Sequence, residues 1–132
     1  MKRRNFPHRP GCAVEATLDL IDGKWKGVIL FHLQGGTQRF GELRRRMPGI
    51  TQRMLTKQLR ALEEDHLVIR KVYAEVPPRV EYTLSEVGES LRPVIETLRK
   101  WGETHQERLS CAPALESSNA PRTVLKREQE QL

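Results

Sequence analysis

Five side chains able to meet base edges and phosphate oxygens recur within one short stretch of this sequence. They are Gln52, Arg53, Thr56, Lys57 and Arg60, in TQRMLTKQLRALEEDH, residues 51–66. At about 100° per residue they share one helix face, while Leu55, Leu59 and Leu62 fall in a separate narrow sector. Glutamine and arginine present paired groups that match purine edges, and threonine presents a hydroxyl and a methyl. A stripe facing a core requires none of these. The competing reading is an ordinary solvated helix face. The spacing predicts a recognition helix, with Gln52, Arg53, Thr56 and Lys57 in the turns that reach bases. Arg60 lies farther along, within reach of phosphate.

The surrounding charge favours the first reading. The chain carries a formal net charge of +6 over 132 residues. Arg39, Arg44, Arg45, Arg46, Arg53, Lys57, Arg60, Arg70, Lys71 and Arg79 all fall between Gln38 and Thr83. Such a concentration suits phosphate contacts, which are sequence-independent and salt-sensitive. Arg44, Arg45 and Arg46 precede the helix and are placed to hold the backbone, although not all three can point outward. Arg79 is placed for a phosphate or minor-groove contact. Glu63, Glu64 and Asp65 would repel DNA, so they are expected past the contact region or paired.

The elements that position these residues are set by periodicity. Residues 1–11 hold four basic residues, two prolines and a glycine, and read as a mobile arm. Residues 13–22 form a helix with Val14, Leu18 and Ile21 on one apolar face, ended by Gly23. A second helix over 24–34 places Trp25, Val28, Ile29, His32 and Leu33 together, and Gly35-Gly36 stops it. Gln38–Phe40 suits a very short strand. Residues 41–47 suit a short helix with Leu43 and Met47 inward, and Pro48-Gly49 makes the next turn. Ile50 packs inward and Thr51 caps the recognition helix. A short helix, a tight turn and a longer amphipathic helix make a helix-turn-helix.

After Leu67 the period changes from 3.6 to 2. Val68–Tyr73 and Arg79–Leu84 read as a hairpin whose Pro77-Pro78 loop protrudes, a wing. Val80, Tyr82 and Leu84 face one way, with Arg79, Glu81 and Thr83 opposite. Ser85 caps a last helix, where Gly88 occupies the position at which glutamate would complete a capping box. Val87, Leu91, Val94, Leu98, Trp101 and His105 make a heptad-like seam, and Pro93 should kink the helix. Residues 111–132 are polar with two prolines and read as a disordered or loosely attached tail. The fold class is thus mainly α with a small β-wing, one domain over 12–110.

No run of 18 apolar residues exists, so no membrane span is expected. The basic N-terminus lacks the apolar core of a secretory signal, which points to the cytoplasm. Cys12 and Cys111 are too few for a disulfide scaffold or a zinc site of cysteine alone. His8, His32, His66 and His105 lack metal-ligand spacing. There is no phosphate-binding glycine loop, HExxH pattern or serine elbow. No enzyme activity, metal or cofactor is expected. Cys12 comes after His8 and Arg9 and precedes a helix, surroundings that lower a thiol pKa and suit an oxidant sensor. An inert residue at a helix entrance is the simpler alternative. Trp25 and Trp101 read as core or dimer contacts ahead of the lining of a ligand pocket.

Three blocks carry a family resemblance: CAVEATLDLIDGKWKGVILFHL, RFGELRRRMPGITQRMLTKQLRALEEDHLV and VYAEVPPRVEYTLSEVGESL. Together they resemble the HxlR family of bacterial winged helix-turn-helix regulators, relatives of the MarR group, over roughly 12–105. The resemblance implies a homodimer on a near-palindromic double-stranded operator, one recognition helix per half-site. It implies that N- and C-terminal helices build the dimer, here through Val14, Leu18, Ile21, Leu91, Val94, Leu98, Trp101 and His105. Some members respond to electrophiles or oxidants through a cysteine just before the first helix, matched here by Cys12. A small-molecule effector is the other expectation. A winged helix used for protein–protein contact, without DNA, is the rival function.

Overall fold

The computed structural model describes residues 10–109. Cys111 and the segment 111–132 lie outside the described residues, as does nearly all of the 1–11 arm. The elements run α1 (Cys12–Leu20), α2 (Lys26–Leu33), β1 (Gln38–Arg39), α3 (Phe40–Arg45), α4 (Gln52–Glu64), β2 (Val68–Tyr73), β3 (Arg79–Leu84), α5 (Glu86–Ser90), α6 (Arg92–Thr104) and α7 (Gln106–Leu109). The chain divides into two compact units between Ile95 and Glu96.

The first unit is built around α4. Leu55, Leu59 and Leu62 are each at most 1% exposed and enter one core with Ile29, Leu30, Leu33, Leu43, Met47 and Leu67. Burying a leucine side chain of this kind is worth about 1.5–3 kcal/mol, so this stripe fixes how α4 is rotated. Its polar face is thereby left outward. Thr51 Oγ1 accepts a hydrogen bond from Met54 N at 3.0 Å and sets the helix start. Before it, Gly49 takes φ 93°, a left-handed conformation that glycine adopts without steric cost, and Ile50 turns into the core.

The sheet has the order β1-β3-β2, antiparallel throughout. Val68 pairs with Leu84, Arg70 with Tyr82 and Tyr73 with Arg79. Gln38 pairs with Tyr82, which makes β1 a true strand despite its two residues. Gln38 is also a buried polar residue; its Nε2 donates to the His32 carbonyl at 3.0 Å and ties the end of α2 to the sheet.

Several details depart from the periodicity. In α2 Leu30 joins the expected Ile29 and Leu33 in the core, while Val28 lies at the surface. In α1 Val14 and Leu18 are exposed, whereas Leu20 and Ile21 pack on the core. The long C-terminal helix breaks at Leu91. There Leu91 N bonds to the Gly88 carbonyl rather than one residue farther back, and Pro93, which has no N–H, falls in the first turn of α6. Leu91 therefore turns into the core with Ile95 and leaves the seam.

The second unit begins within α6. Arg99 bonds Glu96 and Glu103 across successive turns, at 2.9 and 2.8 Å. Trp101 stacks on His105 with ring centroids 4.1 Å apart, yet Trp101 stays 54% exposed and Leu98 is exposed with it. Among the described residues no helix is long and apolar enough to cross a membrane.

Candidate nucleic-acid interface

The polar face of α4 begins at its first residue. Gln52, Arg53, Lys57 and Arg60 are exposed, and Thr56 is half-buried. Together they line one broad concave surface, and Glu64 lies at its far end. Of the three acidic residues that end α4, Glu64 thus shares a surface with its basic residues. The Thr56 hydroxyl donates to the Gln52 carbonyl at 2.9 Å. Its lone pairs and its methyl are what it can offer a base, an acceptor and a contact for a thymine methyl.

The ion pairs show how charge is partitioned. Lys26, Arg79, Arg92 and Arg99 each have a carboxylate within 4 Å. Arg44, Arg45, Arg46, Arg53, Lys57, Arg60 and Arg70 have none among the described residues. Most of the bare cationic groups among the described residues thus lie on α3, its exit, α4 and the first wing strand; Lys24, Arg39, Lys100 and Arg108 are bare outside these elements. Glu42 stands three and four positions before Arg45 and Arg46, and Glu63 and Glu64 three and four after Arg60, the spacing at which helix ion pairs form, yet none of these arginines makes an ion pair among the described residues.

Arg79 stands apart. Its guanidinium lies 3.8 Å from the centroid of the Tyr73 ring. Its Nε is 3.5 Å from Glu75 and 3.7 Å from Glu81. Tyr73 and Arg79 are cross-strand partners, so the hairpin register itself creates this stack. The wing arginine is engaged within the wing. Lys71 reaches the same ring at 5.0 Å, and the wing tip carries Val76 at 98% exposure.

Burial first, and then the positive charge of Arg46, push His32 below the ordinary histidine range. In the folded chain it resists a proton that the unfolded chain accepts near pH 6.5. Its contribution to stability is therefore lost as pH falls through that range. Cys12, expected just ahead of α1, is its first residue, half-buried, with Gly11 at the cap position. Trp25 packs on the core with Lys24 over its ring, while Trp101 is at the surface. Among the described residues no group of three His, Cys, Asp or Glu side chains could hold a metal ion.

A short helix, a glycine turn, an amphipathic helix with an unpaired basic face and a hairpin wing now stand together. The family model described as HxlR-like helix-turn-helix matches residues 20–110. This chain belongs to the HxlR family. It is 51% identical over 106 residues to the HTH-type transcriptional regulator YybR of Bacillus subtilis, covering 80% of this chain and 85% of that protein. It is 52% identical over 99 residues to an HTH-type transcriptional regulator of Methanothermobacter thermautotrophicus, covering 73% and 76%. Among solved structures, the redox regulator HypR in its reduced form superposes with TM-score 0.71 at 52% identity, covering 74% of this chain and 97% of that one. The reduced form of the regulator YodB of B. subtilis superposes with TM-score 0.63 at 33% identity, covering 81% and 98%. As an HxlR-family member the protein is a transcriptional regulator of the helix-turn-helix type, with a winged-helix fold, and not an enzyme.

Proposed function

We propose that this regulator binds double-stranded DNA sequence-specifically as a cytoplasmic homodimer, on a near-palindromic operator with half-sites about one helical turn apart. The observation that carries this reading is the distribution of charge: none of the basic residues of α3, its exit and α4 makes an ion pair among the described residues, and most of the unpaired cations lie there and on the first wing strand. Gln52, Arg53, Thr56 and Lys57 read bases. Arg44, Arg45, Arg46 and Arg60 hold backbone phosphates. Thr51 sets the helix start, and Arg79 supports the wing from within. Exposed Val14 and Leu18 of α1, and Val94, Leu98 and Trp101 of α6, are the apolar side chains a partner subunit would cover; Ile21 and His105 border them.

The test is a titration of full-length protein against duplex at two ionic strengths. Affinity should fall steeply with salt. Salt-independent or absent binding would instead favour a protein–protein role for the wing and α4. With an operator obtained by selection from random duplexes, Arg53→Ala should weaken binding by about 1–3 kcal/mol and relax base preference. An equal loss on operator and scrambled duplex would move Arg53 to phosphate.

We further propose that thiol oxidation at Cys12 modulates binding. Similarity to proteins described as the redox regulator HypR and as diamide-treated YodB supports this. Diamide should change operator affinity of the wild type and leave Cys12→Ser unmoved. Identical behaviour of the two proteins would remove Cys12 from regulation.

A further inference from the structure

A cleft of about 210 Å³ opens between α4 and the sheet. From α4 it is lined by Thr56, Leu59, Arg60 and Glu63, and from the sheet by Arg70 and Tyr82. Arg70 and Tyr82 are cross-strand partners, so their side chains leave the sheet on the same face, toward α4. Arg60 and Arg70 are both exposed. Neither makes an ion pair among the described residues, although Glu63 lines the same cleft. Two guanidiniums from different elements thus stand over one opening, against a single carboxylate. Thr56 and Arg60 also line the broad face of α4, so cleft and base-reading face share a rim.

We propose that this cleft seats a phosphodiester of the DNA backbone, held between Arg60 and Arg70, with Arg70 a DNA-contacting residue of the wing's first strand. The inference rests on the DNA-binding reading above. A guanidinium presents a planar fork that matches two phosphate oxygens. Leu59 and Tyr82 form an apolar floor, which strengthens a charged contact by lowering the local dielectric. The volume is below the roughly 300–1,000 Å³ of pockets that enclose small organic ligands, and the rim is charged, which favours a compact anion. One phosphate held by both Arg60 of α4 and Arg70 of β2 would fix how far the recognition helix enters the groove. Such contacts set register and carry no base information themselves.

The test uses full-length wild type, Arg70→Gln, Arg70→Lys and Glu63→Gln with a labelled duplex of random sequence over a series of KCl concentrations. Arg70→Gln should flatten the salt slope by about 0.9 and weaken binding about 8-fold near 0.1 M salt. The loss should be the same on selected operator and scrambled duplex. Arg70→Lys should restore the slope, and Glu63→Gln should tighten binding. Thermal unfolding of each variant should match the wild type, because neither side chain makes an ion pair among the described residues. Wild-type binding whose slope survives Arg70→Gln overturns this inference alone; no duplex binding by the wild type overturns the reading beneath it as well. Inorganic phosphate presents the same chemistry as a backbone diester. Stabilisation of the wild type by inorganic phosphate at matched ionic strength, lost in Arg70→Gln while the duplex slope is unchanged, would assign the cleft to a free anion and also overturn the proposal.

Discussion

Replacing Arg44, Arg45 and Arg46 together by alanine should weaken duplex binding about 60- to 500-fold near 0.1 M salt, for two or three lost phosphate contacts. The salt slope should flatten by about 1.8 to 2.7 in the same variant. All three side chains are exposed at the end of α3 and lack ion pairs among the described residues. Three consecutive arginines cannot all point the same way, which sets the lower figure. The loss should be uniform across sequences, unlike that of Arg53→Ala. Far-ultraviolet circular dichroism should be unchanged, since none of the three is in the core. A triple variant with the wild-type slope would remove this approach segment from the interface.

Gly88→Ala should unfold the domain more readily, by about 2 kcal/mol or more. A Cβ at Gly88 would stand 2.1 Å from the Leu67 carbonyl oxygen and 3.1 Å from its carbon. That oxygen is backbone and already accepts from Ser85 N at 3.0 Å, so it cannot swing aside. Alanine gains about 1 kcal/mol over glycine in a helix, but overpacking against fixed atoms typically costs about 1–3 kcal/mol and occasionally more. A contact as close as this belongs at the costly end, so the clash wins. Chemical denaturation should show a lower midpoint with the slope retained, and equal midpoints would sink the prediction. The consequence reaches the site because Leu67 lies just beyond the end of α4. Ser85 Oγ donates to the His66 carbonyl at 2.6 Å and accepts from Gly88 N at 2.9 Å, so one hydroxyl joins the exit of α4 to the start of α5. A glutamate at 88 would complete the local capping box and destroy this junction.

The wing shows where pattern reading ends. The alternation of Arg79, Glu81 and Thr83 against Val80, Tyr82 and Leu84 is written in the chain, and both strand boundaries can be read from it. The pairing of Tyr73 with Arg79 depends on hairpin register. Only that pairing shows the arginine stacked on an aromatic ring between two carboxylates. Considered alone, an arginine beside two prolines looks like a free phosphate contact.

The C-terminal helix repeats the lesson with apolar residues. A spacing of four and three residues marks Leu91 and Val94 alike. The break at Leu91 shifts the helical phase of α6, so Leu91 and Ile95 enter the core while Val94 stays at the surface. No periodicity counted through such a break can report that shift.

The sequence by itself determined the two faces of α4, its threonine cap, the glycine turn before it, the hairpin after it and the concentration of positive charge around them. These are local properties, set by a period, by backbone freedom and by side-chain type. The tertiary structure decided which charges are left unpaired, because a charge within helical reach of a carboxylate pairs only where the fold holds both side chains together: Arg99 meets Glu96 and Glu103, while Arg60 makes no ion pair with Glu63 or Glu64. It turned Arg79 inward upon the wing, brought Arg70 to face Arg60 across a cleft and set Gly88 against the Leu67 carbonyl. Each of these is a meeting of atoms from different elements, and the physical reason is the same: packing the leucine stripe of α4 fixes where every neighbouring strand and helix must lie.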